Sequence, residues 1–148
     1  MADYVIIGGG SSGGVIASRL SEDPDVTVCL LEAGGPGTSP LVSTPGAFAA
    51  LIQDYRINTL NWRFNTDPSK ALNDRRLYNP RGKMLGGSSG MNGMVYIRGD
   101  RSDFDHWAEL GNDGWGYNDV LSYFRKAENN ERGEDEFHGS SGPPHVSN

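Results

Sequence analysis

Two glycine-rich stretches carry residue types suited to holding a long, phosphate-bearing ligand. The first runs GGGSSGG from Gly8 to Gly14 and contains Gly8-x-Gly10-x-x-Gly13. A short apolar run precedes it, a helical pattern follows, and an acid closes the next apolar run. That acid, Glu32, lies 24 positions after Gly8 and 19 after Gly13. The spacing suits a dinucleotide fingerprint. Gly8 permits the tight turn, Gly10 lets the backbone approach a pyrophosphate, and Gly13 lets helix and strand pack closely. The helix start offers N–H groups without intrahelical partners and about +0.5 charge. Ser11 or Ser12 adds a hydroxyl donor. Glu32, with Ala33 beside it, would accept hydrogen bonds from adenosine ribose hydroxyls and disfavour a 2′-phosphate. These residues alone leave NAD and FAD both open.

The second stretch is RGKMLGGSSGMNG, Arg81–Gly93, with five glycines in thirteen residues. Each glycine costs about 0.5–1 kcal/mol relative to Ala inside a regular element. A ligand that the backbone must approach closely would account for them. The charge pattern agrees. From Arg75 to Arg101 there are six cations and one acid, +5, in a chain of net charge −6. A basic island in an acidic chain suits a small anionic ligand. The overall sign argues against a nucleic-acid partner, which wants a basic face.

The elements that must position these loops are legible from periodicity. DYVII (Asp3–Ile7) reads as a buried strand, Ser11–Glu22 as a helix with Val15, Ile16 and Leu20 inward, and VTVCLLE (Val26–Glu32) as a second buried strand. Together they make a βαβ unit. Thr38–Ala50 loosens into a Ser/Pro/Gly stretch with an apolar patch, and the aromatic runs on either side of Asp67-Pro68 suit a hairpin. Ser102–Leu110 is predicted helical with Ser102 as its cap, and Asn118–Glu128 as a further helix. The tail from Asn129 is acidic and loopy, and HVS near the end begins to look like a strand. Two parallel strands cannot cover their own edges, so the chain is expected to be the front part of a larger protein.

The single cysteine, Cys29, is expected to be a small buried hydrophobe; one Cys allows no internal disulfide and no cysteine metal cluster. No metal ligands are assigned. No apolar run reaches the length of a membrane span, and no signal peptide is visible ahead of DYVII, so a cytoplasmic location is expected.

Gly82, Lys83, Leu85, Gly86, Gly87, Ser88, Ser89 and Asn92 follow a pattern that, with the N-terminal fingerprint, resembles the first signature of the glucose–methanol–choline (GMC) oxidoreductase family. LNDRRLYNPRGK upstream, and GWGYNDVLSYFRKAENNE and HGSSGPPHVSN downstream, extend the resemblance over essentially the whole chain. It implies the N-terminal FAD-binding portion, residues 1–148, of a larger flavoenzyme. The implied fold is α/β, the βαβ start of a Rossmann-like fold with an incomplete sheet and an irregular flavin-loop excursion. The implied reaction moves hydride from an alcohol CH–OH group to FAD. The substrate would be a small-molecule alcohol, with NGMVYIRG leaning to choline-dehydrogenase-like relatives, and the electron acceptor oxygen, a quinone or another carrier. Gly86, Gly87 and Ser88 would let the backbone approach the cofactor. Asn92, Gly93, Met94 and Val95 would run near the isoalloxazine, and Met84 would add a main-chain contact. Some relatives link a His covalently to the flavin where this chain has Met91, so non-covalent FAD is expected. Pro36–Asn61 would lie near the active-site entrance as a lid.

The family's catalytic His lies in a later region, so no catalytic residue is assigned here, and His106, His138 and His145, none with a recognisable partner, are not promoted to the role. Two rivals remain at this point. One is an NAD-dependent dehydrogenase fragment, which leaves the second glycine loop without a use. The other is a non-catalytic dinucleotide-binding module.

Overall fold

A computed structural model describes residues 1–53 and 59–147. Residues 54–58, part of the expected Pro36–Asn61 lid, lie outside the described residues. The chain forms two compact units, Met1–Val95 and Tyr96–Asn148.

The first unit opens with β1 (Tyr4–Ile7), α1 (Ser11–Leu20) and β2 (Val28–Leu31). β1 and β2 pair in parallel, with Tyr4 opposite Val28 and Ile7 opposite Leu31. Gly13 explains how α1 can start so close to β1: a Cβ there would sit 1.9 Å from the Gly8 carbonyl oxygen. Among the described residues no third strand joins this sheet. Its apolar side chains are correspondingly uncovered: Val5, Ile7, Leu31, Val15 and Ile16 are all exposed. Buried strands and an inward helix face were expected. The residues have the right character, but among the described residues these side chains stay exposed. Cys29, expected to be buried, is likewise only partly covered.

The core lies elsewhere. Leu51, Met84 and Met91 are buried together, with Val42, Ile52 and Leu60 against them. Leu51 belongs to α3 (Phe48–Ile52), and Val42 to α2 (Pro40–Ser43), which Ser39 caps by accepting from the Leu41 N–H. These short helices occupy the stretch read as loose.

The expected hairpin is present. β3 (Phe64–Asn65) and β4 (Tyr78–Asn79) pair antiparallel, and the ladder continues through Asn61 opposite Gly82. Buried Asn61 ties this hairpin to α3. Its Nδ2 donates to the Leu51 carbonyl at 3.1 Å and to the Tyr78 hydroxyl at 2.9 Å. Its Oδ1 accepts from the Arg63 and Arg81 N–H groups. Both donor hydrogens and both lone pairs are therefore used, which is what a buried amide requires.

The second unit packs α4 (Arg101–Glu109) and α5 (Tyr117–Ala127) through Phe104, whose ring meets Trp107, Tyr117 and Phe124. The cap of α4 is Asp100 rather than Ser102. Its carboxylate accepts from the Ser102 N–H, while Asp103 accepts from the Asp100 N–H. Asp100 and Asp103 form the reciprocal pair, and a carboxylate holds those amides more strongly than a hydroxyl. After α5, β5 (Asn129–Asn130) pairs in parallel with β6 (His145–Val146), so the tail holds a short strand at HV. Glu128, wholly buried, anchors this turn: its Oε1 accepts from the Gly139 N–H at 2.9 Å and faces His138 Nδ1 and Arg98, each at 2.9 Å.

Candidate functional site

The Gly8–Gly13 turn is built at the C-terminal end of β1. The Gly8 N–H donates to the Leu31 carbonyl at 2.7 Å, and its φ of +96° turns the chain away from the sheet. The turn ends on Gly10, the N-cap of α1. No side chain caps that helix start, so its first amides stay available to a ligand oxygen. Glu32 then spans the neighbouring strand end. Its Oε2 accepts from the Gly9 N–H at 2.7 Å and its Oε1 from the Gly34 N–H at 2.8 Å.

The second glycine loop docks on the first. The Gly86 N–H donates to the Gly9 carbonyl at 2.8 Å, and the Ser11 and Ser89 hydroxyls share a short hydrogen bond. Gly87, at φ +55°, lies so close to Gly10 that a Cβ on it would come within 2.8 Å of the Gly10 Cα. The crossing therefore requires a side-chain-free residue at 87, whereas a Cβ on Gly10 would meet the Gly87 Cα at 3.8 Å, an ordinary contact.

Together the loops wall a cavity of about 670 Å³, a size typical of cofactor sites. Gly8, Gly10, Ser11, Ser12, Gly13, Glu32, Ala33, Gly87 and Ser88 line it. The other named positions lie off this wall. Gly86 makes the loop-to-loop bond described above. Met84 is fully buried in the core, and its carbonyl accepts from the Gly87 N–H at 2.8 Å. Asn92 and Met94 line a separate small cleft with residues of α2 and α3. Met94 there holds a φ of +57°, and the Asn92 Oδ1 accepts from its N–H at 2.9 Å. A left-handed conformation is costly for a non-glycine residue, and that Asx bond is what holds it. Gly93 lies beside Phe48, and Val95 is largely exposed. Met91 packs in the core beside Met84.

Sequence reasoning did not assign Trp62, Phe64, Ile7 or Leu31 to the wall, while Arg81 and Gly82, also on it, open the second glycine stretch. The first two alternate on one hairpin edge, a period-2 signal that reads equally well as core.

The histidines lie elsewhere. His106 is exposed on α4, 3.4 Å from Glu109, and His145 is exposed on β6. His138 does have a partner, Glu128, which corrects the expectation of none. The two lie ten residues apart across the tail turn, a pairing that no local spacing announces. Burial pushes the Glu128 carboxyl up, but the Gly139 N–H, His138, Arg98 and the Tyr96 hydroxyl outweigh it and hold the group below its ordinary value. Tyr96 is pushed up, chiefly by burial and then by the Glu128 charge. Among the described residues no cluster of His, Cys, Asp and Glu could hold a metal, and no helix is long and apolar enough to cross a membrane.

Comparison with known proteins covers almost the whole chain. Residues 2–147 match the family profile described as GMC oxidoreductase. The chain is 49% identical over 145 residues to the oxygen-dependent choline dehydrogenase of Sinorhizobium fredii, covering 98% of this chain and 26% of that protein. It is 54% identical over 147 residues to the protein of the same name in Yersinia pseudotuberculosis, covering 97% and 25%. The chain thus spans about a quarter of the length of these curated relatives. Among solved structures it resembles pyridoxine 4-oxidase from Mesorbium loti, with TM-score 0.89 and 39% identity over 98% of this chain and 28% of that one. It also resembles an Aspergillus oryzae formate oxidase variant studied for FAD modification, with TM-score 0.85 and 33% identity over 99% and 26%.

Proposed function

We propose that this chain, which belongs to the GMC oxidoreductase family, is the FAD-gripping part of a larger flavoenzyme that oxidises an alcohol CH–OH group. One observation carries the reading. Two glycine loops some eighty residues apart dock on each other and wall a single cavity beside an uncapped helix start and Glu32. The cavity fits a dinucleotide: a Cβ on Gly87 would force the two loops apart, and the amides at Ser11–Gly13 have no side-chain competitor.

In this reading the amides of Gly10–Gly13 hold the pyrophosphate, aided by the Ser11 or Ser12 hydroxyl. Glu32, beside Ala33, orients the adenosine ribose. Gly86, Gly87 and Ser88 bring the backbone against the rest of the nucleotide. Asn92, Gly93, Met94 and Val95 serve the flavin end, and Met84 supports them through its main chain. Bound FAD supplies the hydride acceptor. The chain's own residues bind and orient, and no proton transfer is assigned to His106, His138 or His145.

The flavin is held without a covalent link, because a Met91 thioether cannot form the bond that an imidazole can. The choline dehydrogenases among the relatives support a small-molecule alcohol as substrate, and their description as oxygen-dependent favours oxygen over a quinone or other carrier as electron acceptor.

Purification of the full-length protein that carries this chain tests the proposal. The expected result is flavin absorbance in the native protein, transfer of that absorbance to the supernatant on acid precipitation, and a raised melting temperature with added FAD. A full-length protein with neither absorbance nor thermal protection by FAD overturns it. Flavin retained by the acid precipitate overturns the non-covalent assignment.

A further inference from the structure

The chain holds four methionines, and the first unit treats its three internal ones unequally. Met84 and Met91 are closed into the core, at 0% and 3% exposure. The Met84 sulfur lies directly beneath Gly90, where a Cβ would meet it at 3.3 Å. Met94, three residues beyond Met91, keeps 53% of its surface exposed. Its backbone is pinned at φ +57° by the bond from its N–H to the Asn92 Oδ1, so the side chain springs from a fixed point. It borders a cleft whose other walls include Leu41, Val42, Pro45, Phe48 and Leu51. The exposed thioether therefore sits where the second glycine loop meets the mostly apolar face of α2 and α3.

A thioether takes an oxygen atom from peroxide, and the sulfoxide is polar where the thioether was apolar. In the reading above Met94 serves the flavin end, and oxygen that takes two electrons and two protons there leaves as hydrogen peroxide. We propose that Met94 is the site at which this product modifies the protein. The sulfur lone pair attacks one peroxide oxygen and the O–O bond breaks. Sulfur gives up two electrons to become the sulfoxide, and the second oxygen leaves as water once the proton has shifted to it. The new S–O group then meets apolar walls, and the loop holds α2 and α3 less well. The modification acts as a brake that accumulates with the product, and sulfoxide reductases release it. The peroxide source rests on the FAD and oxygen reading above; the reactivity of the exposed thioether does not.

The test uses the full-length protein and reads sulfoxide by peptide mass spectrometry. First, hydrogen peroxide is added to the resting protein. Met94 is expected to react faster than Met84 and Met91 by roughly tenfold or more, because a buried thioether reacts only when the structure opens. Second, the bound flavin is reduced with dithionite under nitrogen and reoxidised with either oxygen or ferricyanide, with catalase present throughout. Oxygen is expected to yield Met94 sulfoxide, and ferricyanide, which forms no peroxide, to yield none. Third, Met94→Gln, polar and of similar length, reproduces the lowered melting temperature of the oxidised protein, and Met94→Leu is spared most of the shift after peroxide. A Met94 that reacts no faster than Met84 and Met91 overturns the proposal. A melting temperature unmoved by oxidation overturns the brake. Equal sulfoxide with oxygen and ferricyanide, or none with either, overturns the link to the product. Reduced protein that oxygen does not reoxidise defeats the oxygen reading itself, while the first experiment still decides whether Met94 is the reactive thioether.

Discussion

Gly87→Ala tests the crossing of the two glycine loops directly. Gly87 adopts φ +55°, and an alanine held in that left-handed conformation costs about 1–2 kcal/mol. The new methyl would also lie 2.8 Å from the Gly10 Cα. That neighbour is backbone, so no rotamer change relieves the overlap, and overpacking of this kind costs about 1–3 kcal/mol. The two effects together disfavour the docked loops by about 2–5 kcal/mol. A domain with about 5–15 kcal/mol of stability still folds under that load, but the crossing opens. If nucleotide binding requires the crossing, FAD affinity falls by roughly 30-fold to several thousand-fold. The assay is a titration of FAD into deflavinated full-length protein, read by flavin fluorescence, beside a denaturant melt of the apoprotein. Gly14→Ala is the control. It lies inside α1 with nothing within 4 Å of the new methyl, so helix propensity alone predicts a gain of up to about 1 kcal/mol and unchanged FAD binding. A Gly87→Ala protein that binds FAD within threefold of wild type, with an unshifted melt, refutes the claim that the loops must dock to make the site.

Three other substitutions probe the supporting structure. Glu32→Gln turns an amide donor toward either the Gly9 or the Gly34 N–H, leaving one of them unsatisfied, and lowers unfolding free energy by about 1–3 kcal/mol in a denaturant melt. Leu51→Ala empties the centre of the Leu51–Met84–Met91 core and costs about 2–5 kcal/mol by the same measurement. Glu128, held below its ordinary 4.5 in the folded state, contributes stability that is complete above that value and lost as pH falls through the lowered folded one. Wild-type stability therefore drops with acid below about pH 4.5, and Glu128→Gln, less stable at neutral pH, shows a flatter acid limb; parallel limbs for the two proteins contradict the assignment.

What the sequence disclosed and what it hid divide along contact range. The βαβ unit was legible because its determinants are local: Gly8 must turn, Gly13 must admit the helix, and Glu32 sits at a fixed distance along the chain. Helix boundaries fell within a residue or two for α1, α4 and α5. The cap of α4 was misplaced because Asp100 and Ser102 both suit such a position, and only the Asp103 partner decides between them. The inward faces of α1 and of the strands were right in character, but Val5, Ile7, Leu31, Val15 and Ile16 are exposed, because periodicity marks an apolar face without marking what covers it. The hairpin was foreseen, but not that Trp62 and Phe64 face the cavity, because alternation fixes which residues share a face and not what that face meets. The Glu128–His138 pair and the Gly10–Gly87 crossing join residues with no periodic relation, and no window of sequence can show them.

The site is tied as a ring, and a ring has a testable consequence. The Gly86 N–H bonds to the Gly9 carbonyl, the Gly9 N–H to Glu32, and the other Glu32 oxygen to the Gly34 N–H. Gly34 packs on Lys83, and Leu85 donates to the Gly35 carbonyl, which leads back to Gly86. Glu32 is thus oriented before any ligand arrives, while each of its oxygens keeps a second lone pair for a ribose hydroxyl. Opening the ring at one place relaxes the strain at another. Gly34→Ala forces a methyl to within 2.1 Å of the Lys83 carbonyl oxygen and pushes the second loop off the first, after which a methyl at position 87 has less to collide with. Independent sites would add to within about 0.3–0.5 kcal/mol, whereas residues coupled through a backbone shift miss additivity by about 0.5–3 kcal/mol. The expected double-mutant cycle for Gly34→Ala and Gly87→Ala, measured by denaturant unfolding, is a loss smaller than the sum of the singles by an amount in that coupled range. Strict additivity would mean that the two loops are held separately and that the ring is only a list of neighbours.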